Sequence, residues 1–529
     1  MRGRLNMREQ LKQILLGAVV VCVLILGFVG WWITGTGGSK PQPIPLRIGA
    51  DAPGPAAADP AVDQNDPGAL VDSGNAKNDK GDRDGAIADF RRALDLDSEN
   101  ADAYIGRGNA RDAKGDHDGA IDDFDRALDL DPRNADAYAS RAGARDGKGD
   151  HDAAITDYDR ALEFDPKNAD IYVGRGNSKD AKGDHDGAIS DFTRAVALDP
   201  KNVGAFTSRA GAEEAKSDHD AAIADFDRAL ALEPRNADIY VGRANIKDAR
   251  NDHDGAMADF DRAIEVDPKN ADAYASRGYS KLGKGDDDGA IADFDRALAM
   301  NPKDAGFYNG RGNARDSKGD HDGAIADFTR ALAIDPKNAD ITTSRANARQ
   351  AIGDFDGAIT DFTRAMDLDP KNADICYGRA VVYFIQRNFN AALADFQHRC
   401  DLNDQNQDQP RFFIWVIRAR QADADAANTD LTAYMAKRWN TPAHDWPWPI
   451  ASFLIGKTTE SDLIAAAAST DADKEHAQKC QAWFFAGIKH LIAGDKSAAT
   501  DDFRKCVATD HKDATEYQFA ESELNALGR

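Results

Sequence analysis

Six histidines recur at multiples of one interval: His117, His151, His185, His219, His253 and His321, all at multiples of 34 residues. Histidine is the commonest metal ligand and a general base near neutral pH. Aspartates such as Asp116 and Asp118 flank these histidines, with the composition of a cation loop. The spacing opposes both chemistries. One histidine per 34 residues sets each on its own structural unit, about 10 Å from the next when helices pack side by side. That is too far for a shared metal centre. The aspartates lack the ligand order and closing glutamate of a calcium loop. No metal is expected. The chain also lacks H-E-x-x-H, C-x-x-C, G-x-S-x-G and a phosphate-binding glycine loop. Neither an enzyme nor a cofactor site is expected. A hydrolase in the carboxy-terminal region remains the remote alternative, with His444 and Asp445 as its candidates.

A second recurrent pair has a structural use. Counting each unit from an Ala101-type start, position 7 is arginine in nine consecutive units and position 23 is aspartate in the same units. The pairs include Arg107 with Asp123, Arg175 with Asp191, Arg243 with Asp259 and Arg311 with Asp327. A half-buried arginine needs a carboxylate to offset its desolvation. The spacing therefore predicts ion pairs within or between units. The alternative is an arginine row that reads an anionic ligand.

These residues must be positioned by helices. The motif GR-N-RDAKGDHDGAI-DFDRAL-LDPKN repeats every 34 residues from Pro67 to Asn406, ten times without insertion. Such a period predicts helix pairs that bury apolar faces only against their neighbours. In Ala101–Asn134, helix A is expected over about 102–114, a turn at Gly115-Asp116 and helix B over about 118–130, ended by Pro132. Gly108 and Ala120 allow close approach, and Tyr104, Phe124, Ala127 and Leu128 fill the interface.

Gly108, Ala120, Phe124, Ala127 and Pro132 carry a resemblance to the tetratricopeptide repeat. It implies an all-α solenoid, a right-handed superhelix of antiparallel helix pairs whose concave face is lined by helix A at positions 2, 5, 9 and 12. Position 9 is asparagine at Asn109, Asn177, Asn245, Asn313 and Asn347. Position 12 is acidic at Asp112, Asp180, Asp248 and Asp316. An asparagine row offers paired donors and acceptors to an extended peptide, and the carboxylates favour neutral or basic chains. The lysines of a carboxylate clamp are missing from positions 2 and 5.

Beyond Asn406 the period fails. Arg411-FFIWVIRARQ reads as a buried helix, Asn428–Lys437 as an amphipathic one, and HDWPWPIASFLIG as a constrained turn into a short helix. Trp446 and Trp448 there either pack the solenoid end or form a contact site. Residues 480–513 read as one further unit, with Gly487, Ala499, Phe503 and Cys506 at its framework positions, and 514–527 as a capping helix. The stretch WPWPIASFLIGKTTESDLI followed by AQKCQAWFFAGIKHLIAGDKSAATDDFRKC makes 407–529 resemble the carboxy-terminal part of NlpI-like bacterial lipoproteins. That resemblance implies a dimerising adaptor that gathers peptidoglycan enzymes and a protease in the cell envelope. The chain departs from it by lacking a lipobox and by its many preceding repeats.

Five cysteines do not form a disulfide framework. Cys22 lies near the amino end. Cys376 and Cys400 share one unit, and Cys480 and Cys506 share another. Each pair sets one thiol on helix A and one on helix B, so both a bond within a pair and buried reduced thiols stay open.

The amino end differs in kind. Residues 14–34 are apolar and follow the basic residues Arg2, Arg4, Arg8 and Lys12 of 1–13. About 20 apolar residues span a bilayer, so a transmembrane signal anchor is expected, with a cleaved signal peptide as the alternative. The positive-inside rule places the amino terminus inside the cell and the repeats in the periplasm. Residues 35–66, rich in Gly, Pro, Ala and Asp, are expected to be a flexible linker. The net charge of -25 opposes nucleic acid binding. The expected function is a scaffold anchored in the inner membrane that binds proteins or extended peptides. A homodimer is compatible with it, and a passive spacer or self-assembly module is the alternative.

Overall fold

Each 34-residue unit folds as two helices because its turn chemistry repeats. In the second unit helix A runs Ala101–Asp112 and helix B His117–Leu130. Asn100 caps the first, its side chain accepting from the Ala103 N–H, and Asp116 caps the second by accepting from the Gly119 N–H. Such caps satisfy amides that a helix start leaves unpaired. Between the helices Gly115 has φ +83°, a conformation costly for a residue with a Cβ.

The structure is a computed structural model that describes residues 63, 65–402, 407–438, 445–512 and 514–528. From Pro67 to Leu402 it contains ten helix pairs, and seven further helices follow. Among the described residues no strand occurs. The chain divides into two compact units, one ending at Arg277 and the other running from Gly278.

In both units the core is a stack of phenylalanines against glycine or other small residues. Phe124 is fully buried. A Cβ added at Gly108 would lie 2.6 Å from its ring, and one at Gly106 would lie 2.4 Å from the Phe90 ring of the preceding pair. Each ring thus lies against its own helix A and, by the same pattern, against the next. In the second compact unit Phe294 stands in this way against Gly278 and Gly310. Burying one such ring contributes about 1.5–3 kcal/mol.

The second compact unit ends in the non-periodic helices Asp408–Arg420, Ala424–Arg438, Pro447–Leu454, Glu460–Ala466, Ala472–Ile492, Lys496–Val507 and Thr515–Ala526. Their aromatic residues merge with the tenth pair into one core. The Phe384 and Phe519 rings stack at 3.8 Å between centroids, and Phe413 meets Phe519 edge-on at 4.9 Å. The last helix therefore covers the apolar surface of the tenth pair.

The expectation of a membrane-anchored chain is corrected. Among the described residues no helix is long and apolar enough to cross a membrane. A 13-residue repeat helix such as Ala135–Gly147 spans about 20 Å, short of the hydrocarbon core. The 21-residue helix Ala472–Ile492 is long enough, but Asp473, Lys474, Glu475, Lys479 and Lys489 charge it. The expected span 14–34, the basic segment 1–13 and the linker, but for its last residues, lie outside the described residues. Among the described residues the fold class is thus an all-α solenoid of antiparallel helix pairs with no transmembrane helix. The expected inner-membrane location, the periplasmic and cell-envelope placement, and the membrane as a partner are therefore not supported by any described helix.

Candidate interaction surface

The charged rows are arranged as two shells. Arg107 approaches Asp123 to 2.6 Å, Arg175 approaches Asp191 to 2.6 Å, Arg243 approaches Asp259 to 2.6 Å and Arg311 approaches Asp327 to 2.6 Å. The same bridge joins Arg141 to Asp157, Arg209 to Asp225, Arg345 to Asp361 and Arg379 to Asp395. The arginine fork is held on both carboxylate oxygens, as in Arg311 Nε to Asp327 Oδ2 at 2.8 Å. Two parallel bonds of this kind are stronger and more directional than one. From Arg107 to Arg311 each guanidinium also stands near the aromatic ring one turn earlier, as Arg107 does over Tyr104 at 5.4 Å. Its hydrogen bond to Asp157 leads the contributions that hold the Arg141 guanidinium above its ordinary value. In the first pair Ser73 substitutes, donating to Asp89 at 2.6 Å.

The sequence reading does not single out two further rows that complete this network. At position 11 a lysine or arginine reaches the same aspartate at 2.6–2.8 Å in eight pairs, from Lys77–Asp89 to Arg349–Asp361. At position 25 of the preceding pair an aspartate meets the arginine's other edge in five cases, as Asp125 meets Arg141 at 2.5 Å and Asp295 meets Arg311 at 2.5 Å, and a threonine takes that place beside Arg209, Arg345 and Arg379. Their signal was present as periodic Lys/Arg and Asp. The fifth pair breaks the pattern. Glu213 stands at position 11, 3.8 Å from Arg209, and its buried Oε2 has no partner among the described residues. Burial first, and repulsion from Asp225 second, push its carboxyl up to about 7.

The second shell is the helix-A row. Asn109 and Asn347 are exposed, whereas Asn177, Asn245 and Asn313 are half-buried. Among the described residues none of these five amides makes a hydrogen bond with another residue of the chain. The acidic residues at position 12 are held by the histidines five residues on. Asp112 meets His117 Nδ1 at 2.7 Å, Asp180 meets His185 at 2.7 Å, Asp248 meets His253 at 2.5 Å and Asp316 meets His321 at 2.7 Å. The histidines therefore orient carboxylates within their own units. These carboxylates remain half-exposed, with side-chain exposures between 16% for Asp248 and 34% for Asp316. The cations thus turn inward to buried carboxylates, and free amides with oriented acids line helix A.

The carboxy-terminal aromatics lie elsewhere. Trp446 is half-buried and donates Nε1–H to Gln481 Oε1 at 2.5 Å, while Trp448 packs half-buried against the same core. Gln481 in turn donates to Glu516, which also accepts from Gln409 at 3.0 Å. His444 lies outside the described residues.

Comparisons with known proteins bear on this arrangement. A family model described as tetratricopeptide repeat matches residues 71–135, 107–169, 141–203, 173–238 and 275–339. A second, described as TPR repeat, matches 244–285 and 346–386. A comparison of sequences with the curated proteins finds no match. Among solved structures, a tetratricopeptide repeat protein from Parabacteroides merdae is 22% identical over 47% of this chain and 98% of its own, with a TM-score of 0.40. MamA is 30% identical over 32% of this chain and 92% of its own, with a TM-score of 0.29. Yeast Tom70 is 20% identical over 81% of this chain and 98% of its own, with a TM-score of 0.37.

Proposed function

The chain belongs to the tetratricopeptide repeat family, and from that premise we propose that it is a non-enzymatic scaffold that binds a protein or extended peptide along helix A. The supporting observation is the division of polar groups. The arginines at position 7 and the lysines or arginines at position 11 are consumed by Asp123-type carboxylates, while the amides of Asn109, Asn177, Asn245, Asn313 and Asn347 have no hydrogen-bond partner among the described residues. A side-chain amide offers both a donor and an acceptor to a peptide backbone. Half-exposed Asp112, Asp180, Asp248 and Asp316 beside these amides favour a neutral or basic partner. The domain reading, ten units over 67–406 and a distinct module over 407–529, belongs to the same proposal. So does the likeness of that module to NlpI-like adaptors, which supports a scaffold.

Capture with the purified chain as bait, followed by affinity measurement on the enriched protein, tests this reading. Replacing Asn177, Asn245 and Asn313 with alanine should lower affinity by about tenfold or more, since each lost hydrogen bond costs about 0.5–1.5 kcal/mol. Binding that is unchanged by the triple substitution would remove helix A as the contact surface. Capture of no partner would favour a passive spacer.

A further inference from the structure

The diverged helix pair near the carboxy terminus lacks the arginine–aspartate lock of the regular pairs that follow the first and carries a different ionic contact. At position 7 of the 480–513 unit stands Ala486, so no arginine reaches Asp502 from there. Asp502 is instead met by His490 at 2.8 Å and Lys505 at 3.0 Å. Cysteines stand at positions 1 and 27 of this unit, where most regular units have alanine. Those regular position-27 alanines, among them Ala127, Ala229 and Ala331, are fully buried. Cys480 lies on the Ala472–Ile492 helix and Cys506 on the Lys496–Val507 helix. Their sulfurs are 3.2 Å apart, and both residues are 0% exposed. Cys376 and Cys400 are also buried, but the Cys376 thiol is directed to the Asn372 carbonyl at 3.8 Å.

We propose that Cys480 and Cys506 are a disulfide-forming pair that locks this helix pair covalently where the arginine–aspartate lock is missing. The oxidant is a small-molecule disulfide such as oxidised glutathione. One cysteine thiolate attacks the glutathione disulfide, forming a mixed disulfide and releasing one glutathione thiolate. The second cysteine thiolate then attacks the protein sulfur of that mixed disulfide and releases the other glutathione. Two protein thiols lose two protons and two electrons, and one glutathione disulfide becomes two glutathione thiols. The closed pair buries both sulfurs, and the neighbouring Cys480 thiol together with burial holds Cys506 far above its ordinary value. Exchange therefore takes place while the two helices are apart, during folding, and closure then shields the bond. This inference does not depend on the scaffold reading.

The test uses the full chain, unfolded and refolded in a glutathione buffer rich in the disulfide form, then acid-quenched, alkylated and digested with trypsin without reduction. The expected product is the peptide Cys480–Lys489 joined to Cys506–Lys512 with loss of two hydrogens, in most molecules. It should be absent from the Cys506→Ala chain and unaffected in the Cys376→Ala chain. Reductant should lower the unfolding midpoint of the wild-type carboxy-terminal region and leave the Cys480→Ala/Cys506→Ala chain unchanged. Recovery of both peptides alkylated, or each carrying glutathione, would overturn the proposal. So would linkage to Cys376 or Cys400 at comparable abundance.

Discussion

Arg311 and Asp327 meet across one helix pair as a two-bond fork, with Nε to Oδ2 at 2.8 Å and Nη2 to Oδ1 at 2.6 Å, and the aspartate is fully buried. Arg315 closes on the same carboxylate at 2.7 Å, and Asp295 of the preceding pair takes the remaining edge of Arg311 at 2.5 Å. One carboxylate thus neutralises two cations, and a neighbouring acid balances the surplus. The network is internal to the array and leaves helix A to present amides.

Removing Asp327 strands two guanidinium groups. Breaking a buried pair from one side costs about 3–5 kcal/mol, and the partial exposure of Arg311 places Asp327→Ala at the lower end, about 3 kcal/mol. Hydrogen exchange of the Ala305–Ser317 and His321–Ile334 helices should show the loss. A double-mutant cycle with Arg311→Ala should return a favourable coupling above about 1 kcal/mol.

Glu213 makes the fifth pair sensitive to pH. Its carboxyl is pushed up to about 7 by burial first and by Asp225 second, against the attraction of Arg209. The folded chain therefore holds this proton more tightly than the unfolded chain does. The stability associated with it is complete below the ordinary glutamate range and falls as pH rises through about 7. Denaturant midpoints at pH 5 and pH 8 should differ for the wild type and converge for Glu213→Gln. Glu213→Lys restores the position-11 ion pair and should stabilise the pair by about 1–2 kcal/mol at pH 8. A wild-type profile as flat as that of Glu213→Gln would count against the buried, proton-holding carboxyl.

Gly108 leaves room for one ring. A methyl group there would stand 2.6 Å from Phe124, which is fully buried. Overpacking of this kind costs about 1–3 kcal/mol, despite alanine's better helix propensity. Gly108→Ala should therefore lower the thermal midpoint, whereas a substitution limited by propensity would raise it.

Glu523 anchors the last helix. It is buried and accepts from Arg387 at 2.9 Å and from Arg420 at 2.6 Å. Glu523→Ala should free residues 515–526, with a loss of about 3 kcal/mol in local protection. Limited trypsin digestion should then cut first after Lys512, while the regular pairs keep their protection.

The helix pairs were legible because their causes are local and repeat ten times. Asn100 and Asp116 cap, Gly115 turns, and Phe124 fills the space beside Gly108, all within a stretch shorter than one 34-residue period. The pairing of Arg107 with Asp123 was also legible, since a half-buried arginine repeated every 34 residues demands a nearby carboxylate. Lys179 at position 11 and Asp125 at position 25 were less so. A charged residue on a helix has a sufficient explanation in solvent exposure until its neighbours are known. The histidine row was open to the same misreading: its 34-residue spacing argued against a shared metal, but not for the bond from His117 to Asp112.

By itself the sequence determined the repeat, the helix boundaries to within a few residues, the absence of catalytic motifs and which charges had to be compensated. These follow from short-range capping, glycine conformation and a period that every unit obeys alike. Tertiary structure alone decided that Asp327 serves two cations, that one buried oxygen of Glu213 is reached by no donor among the described residues, and that Phe519 returns to stack on Phe384. It also decided that the Cys480 and Cys506 sulfurs meet. Each of these depends on side chains brought together by packing between helices, and distance along the chain does not encode that packing.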